Sequence, residues 1–141
     1  LEENISLYYV GGERRAGDIL REQKNNTTNN DQFNNLKKMV LLADEMRNSL
    51  HEEKVSTIGD ILHKGWICKK ALASGISNSA IDILYDKAIK HGASGGKLLG
   101  AGGAGFLLLY SENQEYLRQN MGCKELPFRI DRDGTKIIFY E

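Results

Sequence analysis

Glycine is concentrated between positions 95 and 105, where the chain reads Gly95-Gly96-Lys97-Leu98-Leu99-Gly100-Ala101-Gly102-Gly103-Ala104-Gly105. Every glycine raises the conformational entropy lost on folding, so this density needs a cause. A hairpin turn with positive φ would need only one or two. Close approach of bare backbone to an anionic ligand, or to another loop, accounts for more of them. Successive N–H groups in such a loop can form an anion-binding concavity. Two familiar phosphate-binding patterns compete for the stretch. Gly100-x-Gly102-x-x-Gly105 matches the dinucleotide fingerprint letter for letter, and Glu125 lies at a plausible distance for a ribose contact. That fingerprint must open a helix, whereas Phe106-Leu-Leu-Leu-Tyr110 is a continuous apolar run of the kind a buried strand shows. A P-loop would need glycine at the position of His91, and Ser or Thr at the position of Leu98. Neither pattern holds.

The remaining reactive residue types give less. His51, His63 and His91 fall at unrelated helical positions with no metal or triad spacing. Cys68 and Cys123 have neither metal-ligand nor disulfide-framework spacing, and read as reduced thiols of a cytoplasmic protein. Lys plus Arg and Asp plus Glu each total 19, so the net charge is zero and gives no argument for nucleic acid or an anionic membrane. No apolar run approaches a membrane span. At 141 residues the chain reads as one domain, 1–141. It opens at Leu1, already close to a strand-like stretch, and is expected to be a piece of a longer protein.

The elements that must position the glycine loop follow from periodicity. Ile5 to Val10, bounded by Gly11-Gly12, reads as a buried strand, and Arg14 to Gln23 as a short helix. Lys24 to Asp31 has no core-forming residue and is expected to be an exposed, mobile loop. Leu36, Met39, Val40, Ala43, Met46 and Leu50 form one apolar stripe of a long helix. Thr57 with Asp60 resembles a capping box ahead of Ile58, Ile61, Leu62 and Trp66. Asn78 suits the N-cap of a helix carrying Ile81, Leu84, Tyr85, Ala88 and Ile89, ended by Gly92. The period then changes. Lys97 to Leu99 and Phe106 to Tyr110 read as strands, and Ser111 to Met121 as a helix. Phe128 and Ile130 alternate with polar neighbours, and Asp133-Gly134 signals a hairpin into Ile137 to Tyr140. Consecutive strands with long segregated helices predict an α+β layer on an antiparallel sheet.

Gly96-Lys-Leu-Leu-Gly-Ala-Gly-Gly-Ala-Gly-Phe106 closely resembles the third motif of the GHMP kinases, the superfamily of galactokinase, homoserine kinase and mevalonate kinase. Gly65-Trp66, Lys69-Lys70 and Ser74-Gly75-Ile76-Ser77-Asn78 are similar to the stretch before that motif in the heptose 7-phosphate kinase branch. Gly11, Arg14, Ile19-Leu20-x-Glu22-Gln23 and Leu126-Pro127-Phe128 extend the resemblance, in order, over nearly the whole chain. One departure is Ala104, where the family loop commonly has glycine. The resemblance implies a ferredoxin-like antiparallel sheet packed on one side by helices, forming the C-terminal domain of a two-domain, cytoplasmic kinase. It implies transfer of the ATP γ-phosphoryl group to a hydroxyl of a sugar or sugar phosphate, heptose 7-phosphate favoured. ATP and Mg²⁺ would be held mainly by an N-terminal domain, which also supplies the catalytic acidic residues. No catalytic residue and no metal ligand is then expected here, and the chain alone is expected to be inactive.

Within this domain Gly96, Lys97, Gly100, Ala101, Gly102, Gly103 and Gly105 would line the phosphate and acceptor side of the cleft. Arg14, after a glycine turn at a strand end, could fork onto an acceptor phosphate; a solvated surface arginine is the plain alternative. Lys97 could neutralise charge or simply sit on a strand edge. Trp66 could stack on a sugar or pack in the core. Lys69 could reach the acceptor, and with Lys70 could equally be solvated. A non-catalytic module that binds a small phosphorylated metabolite, or a dimerisation module in which a second copy is the partner, remains the alternative reading.

Overall fold

The computed structural model describes residues 1–12, 16–27, 30–136 and 139. Strand β1 (Ile5–Gly11) is followed by four helices, α1 (Ala16–Asn26), α2 (Asn30–His51), α3 (Ile58–Lys70) and α4 (Ser79–Lys90). Strands β2 (Gly95–Leu98) and β3 (Gly105–Tyr110), helix α5 (Gln114–Met121) and the two-residue strand β4 (Glu125–Leu126) complete the order. The sheet runs β2-β3-β1-β4 with every neighbouring pair antiparallel. This is the ferredoxin-like order expected above, with its first crossover drawn out into four helices. No helix among the described residues is long and apolar enough to cross a membrane.

Period-two alternation sorts the central strands. Ser6 and Tyr8 of β1 and Leu107 and Leu109 of β3 are buried on one face. There Tyr8, Leu107 and Leu109 join Leu98 in one apolar cluster with Ile19, Trp66, Ile76, Ile81, Tyr85, Leu117 and Met121 from the helical layer. Leu7, Tyr9, Phe106 and Leu108 take the opposite face, where the Tyr9 and Phe106 rings sit 5.4 Å apart. Between Tyr9 and Gly11 the register slips, so β1 carries one extra residue where it reaches Gly105. A bulge of this kind bends a strand and sharpens its twist, here at the mouth of the glycine loop.

Asn78 caps α4 as its sequence suggests: Oδ1 accepts from the Ile81 amide at 3.0 Å. Gly92 follows the helix at φ +94, the left-handed exit that favours glycine. Other expectations fail for tertiary reasons. The polar tract Lys24 to Asp31 is mostly helical, because α1 continues to Asn26 and α2 begins at Asn30. Asn26 is held by its side-chain amide, which donates to the Leu72 carbonyl at 3.0 Å. Thr57 makes no side-chain cap: it closes the 3₁₀ turn Val55–Thr57 with helical φ −80 and ψ −14, and its hydroxyl donates back to the Lys54 carbonyl and meets that of Ser49. The α2 stripe is wider than the face the helix uses. Leu36 and Met39 pack against the core, while Val40, Ala43 and Leu50 are exposed. Leu42, outside the predicted stripe, meets α3 over Gly65. Phe128 and Ile130 are not in a strand, and helix α5 starts at Gln114 rather than Ser111. The second arm of the predicted hairpin, Ile137 to Tyr140, lies outside the described residues except for Phe139.

Candidate functional site

Helix α3 lies on β2 at a distance only glycine allows. A Cβ on Gly95 would stand 1.9 Å from the Gly59 carbonyl oxygen, and one on Gly59 would stand 2.4 Å from Ser94 Oγ. Gly96 is needed for a different contact, since its Cβ would fall 2.2 Å from the Leu108 carbonyl oxygen. Packing alone therefore accounts for glycine at the first two positions of the stretch.

The loop proper runs from Leu99 to Gly105. Gly100, Gly102, Gly103 and Gly105 all have positive φ, at +77, +120, +77 and +110. Gly102 is further confined by Ile76, whose Cα would lie 2.6 Å from an added Cβ. Three bonds tie the loop down. The Gly103 amide donates to the Ile76 carbonyl at 2.9 Å. Asn78 Nδ2 donates to the Gly103 carbonyl at 3.2 Å. Lys69 Nζ donates to the Gly100 carbonyl at 2.5 Å. The amides of Gly100, Ala101, Gly102 and Ala104 donate to no group among the described residues. A loop with fixed carbonyls and open amides has unused donors of the kind that anionic oxygen accepts.

Two cations border it. Lys97 on β2 and Lys69 in the last turn of α3 are both half-buried. Burial, and then the nearby Lys97 charge, hold the Lys69 ammonium below the usual lysine range. An arriving anion would relieve that like-charge contact. Ala104, the departure from the usual glycine, is accommodated by its neighbour: a Cβ on Gly12 would come 3.1 Å from the Ala104 methyl. Glycine at position 12 leaves room for alanine at 104.

The segment before α4 is built to hold the loop. Ile76 is fully buried. The Ser74 amide donates to Glu22 Oε1 at 2.8 Å, and Asp82 accepts from both Ser77 and Lys70. Lys70 is thus paired with Asp82 and also lies 5.8 Å over the Trp66 ring, rather than standing in solvent. Trp66 is 1% exposed and packs against Tyr85, so its ring presents no face for a sugar; its role is in the core. Behind β2, His63 Nδ1 lies 2.8 Å from the Tyr85 hydroxyl, which itself reaches toward the Gly96 carbonyl. Burial pushes the Tyr85 hydroxyl up to about 12. Arg14 lies outside the described residues. Sequence reading singled out Ser74 to Asn78 as a motif, yet assigned Asn78 only its cap and Ile76 nothing. Their bonds to Gly103 cross 25 residues or more and leave no local pattern to read.

Comparison with known proteins places the family. The family model for the GHMP kinases C terminal matches residues 41–127. A D-glycero-alpha-D-manno-heptose 7-phosphate kinase of Campylobacter jejuni is 28% identical over 142 residues, covering 96% of this chain and 42% of that protein. A bifunctional fucokinase/GDP-fucose pyrophosphorylase of Arabidopsis thaliana is 29% identical over 133 residues, covering 93% of this chain and 12% of that protein. The chain therefore spans less than half the length of either relative. Among solved structures, mevalonate kinase of L. major in complex with R-mevalonate superposes with a TM-score of 0.75 at 13% identity, over 84% of this chain and 38% of that one. A phosphomevalonate kinase of Streptococcus pneumoniae gives 0.66 at 16% identity, over 84% and 35%. The matched span exceeds half of the sequence and takes in the whole glycine loop, and the chain belongs to the GHMP kinase family as its C-terminal domain.

Proposed function

We propose that this chain forms one wall of the active-site cleft of an ATP-dependent kinase, which phosphorylates a hydroxyl of a sugar or sugar phosphate, with a heptose 7-phosphate the favoured acceptor. The observation that carries the proposal is the tethered glycine loop, with its open amides and two flanking lysines. The sugar specificity is supported by the heptose phosphate kinase and fucokinase relatives, both sugar kinases by name. The remainder of the parent enzyme is the partner that closes the cleft.

ATP fits the donor set of the loop: the open amides of Gly100 to Gly102 suit phosphate oxygens, and Lys97 suits their charge. ATP, held mainly by the rest of the parent, would supply the phosphoryl group that is transferred. The chain's own residues contribute positioning and charge neutralisation, on which phosphoryl transfer mainly depends. The loop backbone donates to anionic oxygen. Arg14, two residues beyond Gly12, is the proposed grip on an acceptor phosphate. Among the described residues, no group of three or more His, Cys, Asp or Glu could hold a metal ion. The proposal leaves Mg²⁺ to the rest of the parent.

ADP release by the full-length parent and by this chain alone, across a panel of sugars and sugar phosphates with Mg-ATP, tests the reading. Turnover of a heptose phosphate by the parent and none by the chain is the expected result. A folded parent that is silent on every acceptor would instead favour a non-catalytic metabolite-binding module. In the parent, Gly102→Val is expected to abolish turnover; unchanged kcat and KM would remove the loop from the mechanism.

A further inference from the structure

A peptide unit is planar and trans, so its C=O and the following N–H point in opposite directions. Whatever grips a carbonyl therefore also aims the amide that shares its plane. Two carbonyls of the glycine loop are gripped by side chains: Gly100 by Lys69 Nζ at 2.5 Å, and Gly103 by Asn78 Nδ2 at 3.2 Å. The amides sharing those planes belong to Ala101 and Ala104, and neither has an acceptor among the described residues. Both loop alanines thus have their N–H groups turned away from the body of the domain, each by a side chain on the opposite side of the peptide.

We propose that Lys69 is a positioning residue: by holding the Gly100 carbonyl it turns the Ala101 amide outward as a fixed hydrogen-bond donor to the ligand of the glycine loop. Lys69 acts through the backbone and is not a ligand of the acceptor. The inference deepens the proposed kinase reading and rests on it for the identity of the ligand as phosphate-bearing. Three features single out Lys69 from other basic groups. It sits in the last turn of a helix whose opposite end is locked against β2 at Gly59, so its base cannot drift. It is half-buried, so its donor is aimed rather than free. Its partner Gly100 has open space where a Cβ would lie, so no packing at that position competes with the bond in setting the peptide that joins Gly100 to Ala101. A cation on the carbonyl also polarises the peptide, which strengthens the Ala101 N–H as a donor. Asn78 performs the same operation on Ala104 with a neutral amide. The two grips flank Gly103, whose own amide is drawn inward to Ile76. This alternation leaves four of the five residues from Gly100 to Ala104 with open amides while the loop stays anchored through Gly100 and Gly103.

The test is backbone amide NMR of this chain in the wild type, Lys69→Met and Lys69→Arg, with hydrogen exchange at Gly103 as a second readout. In Lys69→Met, shifts are expected to change at Gly100, Ala101 and Gly102 while core amides of β1 and β3 stay in place. Exchange at Gly103, now anchored beside an unheld peptide, is expected to rise about tenfold, the equivalent of about 1.4 kcal/mol of loop opening. Lys69→Arg, which keeps a cationic donor, is expected to restore both. Unchanged Ala101 signals in Lys69→Met would overturn the proposal, as would changes spread evenly through the core or a failure of arginine to rescue. Should the methionine variant not fold, the wild type still decides the matter. Slowly exchanging Lys69 ammonium protons correlated with the Gly100 peptide support the bond, and a freely exchanging ammonium refutes it. None of these readouts needs turnover, so they stand or fall apart from the activity of the parent.

Discussion

Replacing Gly95 by alanine probes the tightest approach in the fold. The new methyl would sit 1.9 Å from the Gly59 carbonyl oxygen and 2.9 Å from His63 Cβ. A comfortable separation is about 3.5 Å, so α3 must retreat by roughly 1.6 Å or β2 must bend away. Neither neighbour is a flexible side-chain tip; the first is helix backbone. Retreat of α3 would loosen Ile58 and Ile61, 3% exposed each, at the seam with the sheet. Overpacking in cores typically costs about 1–3 kcal/mol, and a backbone obstacle places this case at or above the top of that range. About 3 kcal/mol is a large share of a typical domain stability of about 5–15 kcal/mol. Gly100→Ala is the matched control. Its φ of +77 gives a conformational cost of about 1–2 kcal/mol, but its Cβ enters open space. Urea denaturation of both variants decides the point. Gly95→Ala should lower the midpoint well beyond Gly100→Ala with the slope unchanged. A Gly95→Ala protein within about 0.5 kcal/mol of wild type would show that α3 does not lie on β2 as described.

Two further outcomes follow from single side chains. The Tyr85 hydroxyl, raised by burial to about 12, stays neutral in the folded chain where an unfolded tyrosine would ionise near 10. Its contribution, at most about 3 kcal/mol, is complete below pH 10 and disappears as pH rises to about 12. Alkaline melts of Tyr85→Phe should therefore show a shallower fall than wild type. A residual slope should persist from Tyr8 and Tyr110, which burial also raises. Asn78 both caps α4 and holds Gly103, and two substitutions separate those tasks. Asn78→Ala should cost about 1 kcal/mol of stability and loosen the loop. Asn78→Asp should keep the cap but expose Gly103 to faster hydrogen exchange, and equal exchange in wild type and Asn78→Asp would count against the tether.

What could be read from the sequence was local. The run from Ile5 to Val10, the Asn78 cap and the Gly92 exit each depend on neighbours within a few residues, and each is found where expected. The glycine-rich stretch was recognisable as special, but the cause was divided differently from what spacing suggests. Gly95 and Gly96 serve helix and strand contacts, while Gly102 serves Ile76, all across distances that no period encodes. Thr57 shows the converse failure. A sound capping pattern failed because Thr57 closes the 3₁₀ turn Val55–Thr57 and has helical φ −80 and ψ −14, not the extended backbone of an N-cap. Val40 and Leu41 are more than 60% exposed although they continue an apolar arc, because α2 packs chiefly against a single neighbour, α3. Alternation at Phe128 and Ile130 did not become a strand, since pairing needs a partner that the pattern itself does not supply.

The drawn-out crossover between β1 and β2 has a consequence for how the domain is made. β1 is a central strand, yet its partners are β3, with Ile5 opposite Tyr110, and β4, with Tyr8 opposite Glu125. On a ribosome the first strand leaves the tunnel long before either partner has been synthesised. Helices α2 and α3, neighbours in sequence, can dock on each other during that interval, whereas the sheet cannot close on any side of β1. Leu7, Tyr8 and Tyr9 must therefore wait, unpaired and apolar, for almost the entire chain. Long-range pairing of this kind slows folding and leaves strand edges open to aggregation while it lasts.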